Sequence, residues 1–183
     1  LHLPDKRELR DILRQQLLRV EPNDEEELLS VLRLFKKNQV LAVAASDVLA
    51  ERPIMKVSDS LTYIAAVVLE AALERAFAEI VKRYGYPIGQ DGDPVTEADC
   101  GFAIIGYGKL GGLELSYSSD LDLVFLHKIK EQGMTTGEKS VSGMKFAARL
   151  AQKLMTYLNT QTRDGRAYEV DMRLRPSGNA GMM

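Results

Sequence analysis

Cysteine is nearly missing from these 183 residues: Cys100 stands alone. One thiol excludes an internal disulfide and any multi-cysteine metal site, and it suits a reducing cytoplasm. Long apolar runs are missing too. No stretch approaches the roughly 18 uninterrupted apolar residues of a membrane span, which argues against a membrane partner. Leu1 to Arg10 is charged almost throughout and does not read as a signal peptide. There is no surplus of one charge either: 24 basic and 26 acidic side chains leave −2, where a general nucleic-acid binder normally shows a strong basic excess. That total is an average. Residues 1–100 carry 13 basic and 18 acidic groups, and residues 101–183 carry 11 and 8, giving −5 and +3. What is present is 45% apolar residues, enough for a core in a chain of about one or two domains. A start at Leu1 and an end at Met183, just past a dense motif, read as a piece of a longer protein.

Residues 1–88 read as a helical block. Asp5 followed by Glu8 is a capping-box signature, and Leu9, Ile12, Leu13 and Leu17 recur at helical spacing. Asn23-Asp24 marks a second start, with Glu25, Glu26 and Glu27 at the positive end of the helix dipole. A third helix is expected after Ser58-Asp59, where Leu61 to Tyr84 keep one apolar face until Gly85 and Pro87. These helices read as packing elements, Met55 as core filler. Residues 89–100, rich in Gly, Asp, Pro and Thr, read as a linker.

The core, 101–183, has a different period. Phe102 to Ile105, a short apolar run bounded by glycines, reads as a strand, Leu121 to Leu126 as a buried strand, Met144 to Leu158 as an amphipathic helix, and Ala167 to Leu174 as an alternating third strand. Between the first two strands lies Gly106-Tyr107-Gly108-Lys109-Leu110-Gly111-Gly112. It matches the G-x-G-x-x-G of dinucleotide-binding turns, but the spacing defeats that reading. A parallel crossover needs a helix and at least about 10–12 residues, whereas eight residues separate Gly111 from Asp120 and include the turn-forming Ser116-Tyr117-Ser118-Ser119. What remains is a glycine-rich backbone with one lysine, open to close approach by phosphate; a turn that merely needs glycine is the plainer alternative.

Asp120-Leu121-Asp122 opens the second strand, and alternation puts both carboxylates on one face. Like charges that close repel unless a cation lies between them, and an all-oxygen ligand set suits magnesium; two solvated aspartates at a strand end are the alternative. On the third strand, Glu169, Asp171, Arg173 and Arg175 share a face. Beside the second strand, Asp171 completes a three-carboxylate site and the two arginines face a triphosphate. The alternative there is a solvent face of alternating ion pairs. Two metals on three carboxylates clamp the attacking and leaving oxygens of a nucleotidyl displacement. His127 reads as a capping or packing residue, Cys100 as a loop or core thiol, and Tyr107 and Tyr117 as packing residues with a stacking role on adenine open to them.

A strand ending in a glycine turn, then Asp-x-Asp, then a later aspartate resembles the polymerase-β-like nucleotidyltransferases. Gly108 lies twelve residues before Asp120, with Lys109 in place of the usual serine. The strings PIMKVSDSLTYIA, GYGKLGGLELSYSSDLDLVFLH and YEVDMRLRPSGNAGM resemble, far more specifically, the glutamine-synthetase adenylyltransferase family, whose members add AMP to glutamine synthetase and remove it with two related catalytic domains. The wording is nearer the C-terminal, adenylylating domain. The resemblance implies an α+β fold: a polymerase-β-like core with a mixed sheet, preceded by the helical block. It implies Asp120, Asp122 and Asp171 as ligands of two magnesium ions, with Asp171 helping to deprotonate a tyrosine acceptor. Gly108, Lys109 and Ser119 would lie by the phosphates of ATP. Gly111, Gly112, Arg173 and Arg175 join them as nucleotide-binding candidates. Glutamine synthetase as substrate, a PII signal protein as regulator through regions outside this chain, and a cytoplasmic location also follow from resemblance alone. A small-acceptor nucleotidyltransferase and a non-catalytic nucleotide sensor are the competing readings.

Overall fold

The computed structural model describes residues 3–50 and 53–174, with the side chains of Ala50 and of 171–174 outside that description. Three helices come first: α1 (Lys6–Leu17), α2 (Glu25–Ala50) and α3 (Ile54–Tyr84). The capping box at α1 is formed as expected, with Glu8 N donating to Asp5 Oδ1 at 2.8 Å and Asp5 N donating to Glu8 Oε2 at 2.8 Å. Asp24 Oδ1 accepts from Glu27 N at 2.8 Å at the start of α2. Helix α3 begins earlier than the Ser58-Asp59 signal suggested. Its N-cap is Pro53, and Ser58 and Asp59 fall inside the helix. The first turn projects outward, so Met55 is 65% exposed and fills no core. Further along, α3 buries more than one stripe, Val67 and Leu73 as well as Leu61, Val68 and Ala72, because it packs against α1, α2 and α5 together.

After α3 the chain returns through residues 85–102, tied down by Lys130 N donating to Ile88 O and Val95 N to Pro87 O. Gly85 (φ +78) and Gly137 pass in backbone contact; a Cβ on Gly85 would lie 2.1 Å from Gly137 N, so neither position admits a side chain.

Strand β1 (Ala103–Tyr107), the single-turn helix α4 (Gly108–Gly111), β2 (Leu121–Leu126), α5 (Gly143–Asn159) and β3 (Val170–Leu174) make the rest, an α+β arrangement. The sheet order is β1-β2-β3, with β1 antiparallel and β3 parallel to β2. The antiparallel β1–β2 pair rules out the parallel crossover of a dinucleotide fold. Its parallel partner β3 needs a long crossover, and α5 supplies it. β3 starts three residues later than expected, since Ala167 and Tyr168 are both buried and break the alternation; Tyr168 N instead donates to Leu158 O at the end of α5. Leu121, Leu123 and Phe125 join one hydrophobic core with α3 and α5, where Phe77 and Phe146 meet edge to face at 5.6 Å.

Candidate active site

On β2, Leu121, Leu123 and Phe125 point into the core while Asp122 is exposed, the outcome of strand alternation. Asp122 is the midpoint of a three-strand row: its Cα partners are Tyr107 on β1 and Asp171 on β3. Asp120 does not open the strand as expected. It precedes Leu121, the first strand residue, whose N donates to Glu169 O at 2.9 Å. The side chains of Asp171 and Arg173 lie outside the described residues, as does Arg175 altogether. By backbone register, Arg173 lies beside Val124, two positions along β3 from Asp171.

The glycine turn begins directly after Tyr107. Gly108 has φ +54, and a Cβ there would stand 2.9 Å from Asp122 Oδ2. The turn therefore lies against the Asp122 carboxylate, leaving no room for a side chain between them. Gly111 is equally constrained, since its Cβ would meet Gly106 O at 2.4 Å. Gly112 N donates back to Gly108 O at 2.9 Å and Glu114 N to Lys109 O at 2.7 Å, closing the turn. Lys109 is exposed and forms no ion pair among the described residues.

Between Gly112 and Asp120 the chain makes a second turn. Ser119 Oγ accepts from Ser116 N at 2.9 Å and pairs with Ser116 Oγ at 2.8 Å. Here the Ser119 hydroxyl shapes the loop that delivers Asp120. Tyr117, in the same turn, donates its hydroxyl to Asp47 Oδ2 on α2 at 3.0 Å; burial first, then the Asp47 hydrogen bond and charge, raises the Tyr117 pKa. His127 is partly buried at the end of β2, and its Nδ1 has no hydrogen-bond partner among the described residues.

Helix α2 shapes the site in ways its sequence concealed. Arg33, 1% exposed, donates Nε to Gly165 O at 2.8 Å, one terminal nitrogen to Leu29 O at 3.0 Å, and the other to Tyr157 O at 3.2 Å and to Thr160 O. One guanidinium thus pins the α5–β3 connection, and Asn159 Oδ1 accepts from Val170 N at 3.0 Å where β3 begins. Burial depresses the Arg33 pKa against the raising charge of Asp164. A signal for Arg33 was available: it stands four residues after Leu29, on the buried side of α2. Asp47 had none.

Among the described residues no group of three or more His, Cys, Asp or Glu is placed to hold a metal ion, Asp171's side chain being outside that set. Nor is any helix among them long and apolar enough to cross a membrane.

The glycine turn packs on Asp122, which is in register with Asp171, and the family that the chain matches is one of adenylyltransferases, a class of nucleotidyltransferase enzymes. The family model described as "Glutamate-ammonia ligase adenylyltransferase" matches residues 2–183, and the chain belongs to that family. It is 57% identical over 181 residues to the bifunctional glutamine synthetase adenylyltransferase/adenylyl-removing enzyme of Acinetobacter baylyi, covering 99% of this chain and 20% of that protein. It is 51% identical over 180 residues to the same-named enzyme of Hahella chejuensis, covering 98% of this chain and 18% of the relative. The chain spans about a fifth of the length of these curated relatives.

Proposed function

We propose that this chain is the adenylylating catalytic core of such an enzyme, with a polymerase-β-like nucleotidyltransferase fold over 101–183 and helices 1–88 in front of it. It transfers AMP from MgATP to a tyrosine hydroxyl of glutamine synthetase, in the cytoplasm, and so regulates nitrogen assimilation. The observation that carries the reading is the row of Asp122 and Asp171 in register, with Gly108 laid against Asp122.

Asp120, Asp122 and Asp171 would hold two magnesium ions. The fit is supported by the donor chemistry, carboxylate oxygens alone. Bound magnesium supplies charge neutralisation on the phosphates and lowers the pKa of an attacking oxygen. The chain's own groups do the rest. Gly108, Gly111 and Gly112 let backbone approach the phosphates, and Lys109 adds a cation there. Ser119 keeps the Asp120 loop in shape, while Arg173 and Arg175 take the triphosphate oxygens bidentately. Asp171 takes the tyrosine proton as the phenolic oxygen bonds to the α-phosphorus. The bond from that phosphorus to the bridging oxygen breaks, and pyrophosphate leaves. Removal of AMP by phosphorolysis and the response to a PII signal protein belong to parts of the longer enzyme outside this chain.

The test is direct. This chain, and a chain of the relatives' full length, are each incubated with α-labelled ATP, magnesium and glutamine synthetase. Label on a tyrosine of the synthetase, dependent on magnesium, is expected with the longer chain. A longer chain that transfers no AMP yet binds NAD tightly overturns the reading.

A further inference from the structure

Beside Asp120 the surface opens into a groove of about 270 Å³ between α2, the Tyr117–Asp120 loop and the approach to β3, lined among others by Lys36, Ser119, Asp120, Arg166, Tyr168 and Glu169. Two cations reach it, and they are differently committed. Arg166 is paired with Glu169 at 3.3 Å. Lys36, partly buried, stands with Nζ 4.2 Å above the centroid of the buried Tyr168 ring and forms no ion pair among the described residues. A ring face steadies an ammonium without neutralising it. A partly desolvated cation with no anion is unfavourable until an anion arrives.

We propose that Lys36, from the helical block, is a nucleotide-binding residue that takes the terminal phosphates of the nucleoside triphosphate. The inference rests on the nucleotidyltransferase reading above and extends it to a helix that reading left with packing alone. On that reading the phosphate chain passes Gly108, which lies against Asp122. Asp120 lies two residues away in the chain and lines the same groove as Lys36. A chain of three phosphates that runs from Asp122 toward Asp120 ends in that groove. Burial already holds the Lys36 pKa below the ordinary lysine value, and a bound phosphate relieves that.

The experiment compares binding of MgATP and of AMP, by titration calorimetry, to the wild-type chain and to Lys36→Met, Lys36→Gln and Lys36→Arg. Lys36→Met and Lys36→Gln should each weaken MgATP about tenfold and leave AMP unchanged, because AMP lacks the terminal phosphates. Lys36→Arg should stay within about threefold of wild type. Unchanged MgATP affinity in folded Lys36→Met or Lys36→Gln overturns the assignment while leaving the nucleotidyltransferase reading standing. So does an equal loss for AMP and MgATP, which marks general distortion of the groove. Wild-type chain that binds no MgATP removes the underlying reading and this one with it.

Discussion

Gly108 lies so close to Asp122 that a Cβ added to the glycine would stand 2.9 Å from the carboxylate Oδ2. The backbone at Gly108 is left-handed besides, at φ +54. A methyl group there both strains the turn and moves the acid. Gly108→Ala is expected to lower stability by about 1–2 kcal/mol and turnover by about a hundredfold, since displacements of an ångström at a reacting centre have that effect. Urea titration and steady-state AMP transfer measure the two separately.

Asp122 itself is exposed and outside the core, so its replacement tests chemistry without testing packing. Asp122→Asn should keep its circular dichroism spectrum and lose magnesium-dependent transfer by about a thousandfold or more, the loss of several kcal/mol of transition-state charge stabilisation. Undiminished transfer removes Asp122 from the mechanism.

Arg33 is the stability counterpart. Arg33→Met removes the guanidinium donor from the carbonyls of Tyr157 and Thr160 and from that of Gly165, which keeps Thr162 N and Oγ1. The expected loss is about 2–4 kcal/mol, read as a fall in the urea midpoint at constant slope. A change under about 0.5 kcal/mol means the α5–β3 connection holds without it.

Tyr117→Phe removes one hydrogen bond, to Asp47, from the loop that carries Asp120. Exposed as it is, the bond contributes about 1 kcal/mol. That amount is expected in the site: a roughly fivefold rise in the magnesium concentration giving half-maximal transfer, with little change in melting temperature. A melting shift without a change in magnesium dependence assigns the contact to stability alone.

His127 sets a pH dependence. Burial lowers its pKa below 6.5, outweighing the raising effects of the Glu131 charge and the Ile129 backbone. The unfolded chain therefore binds the proton more readily. The stability that His127 contributes is complete above about pH 6.5 and is lost as pH falls from there through the folded-state pKa. His127→Gln should flatten the stability slope between about pH 7 and 5 in denaturant titrations at each pH; an unaltered slope assigns the dependence to other groups.

Features encoded within a few residues were legible in the sequence. Asp5 and Glu8 cap each other three positions apart, and the apolar run from Leu121 to Leu126 marked β2, although Asp120 was expected to open it. The short connection between Gly111 and Asp120 correctly excluded a parallel crossover, and β1 and β2 are antiparallel. Signals that depend on what stands opposite were not legible. Ser58-Asp59 has helix-start chemistry, yet α3 starts after Pro53 with an exposed first turn. Tyr117 and Asp47 are 70 positions apart, and no local pattern in α2 marks the side that meets the Asp120 loop. The carboxylate row was legible as three residues of the right kind; the register of Asp122 with Asp171 is a tertiary fact.

That register also orders events in time. Tyr107 and Asp122 pair across an antiparallel connection of hairpin kind, while Asp171 reaches Asp122 only after the chain has passed through α5. Longer loops close at greater entropic cost, and parallel pairs form late. During synthesis the glycine turn and the first two aspartates can meet while the last strand is still unmade. A nascent or truncated copy ending before β3 thus holds only part of the carboxylate row. On the reading proposed above, such a copy lacks Asp171 and should transfer no AMP.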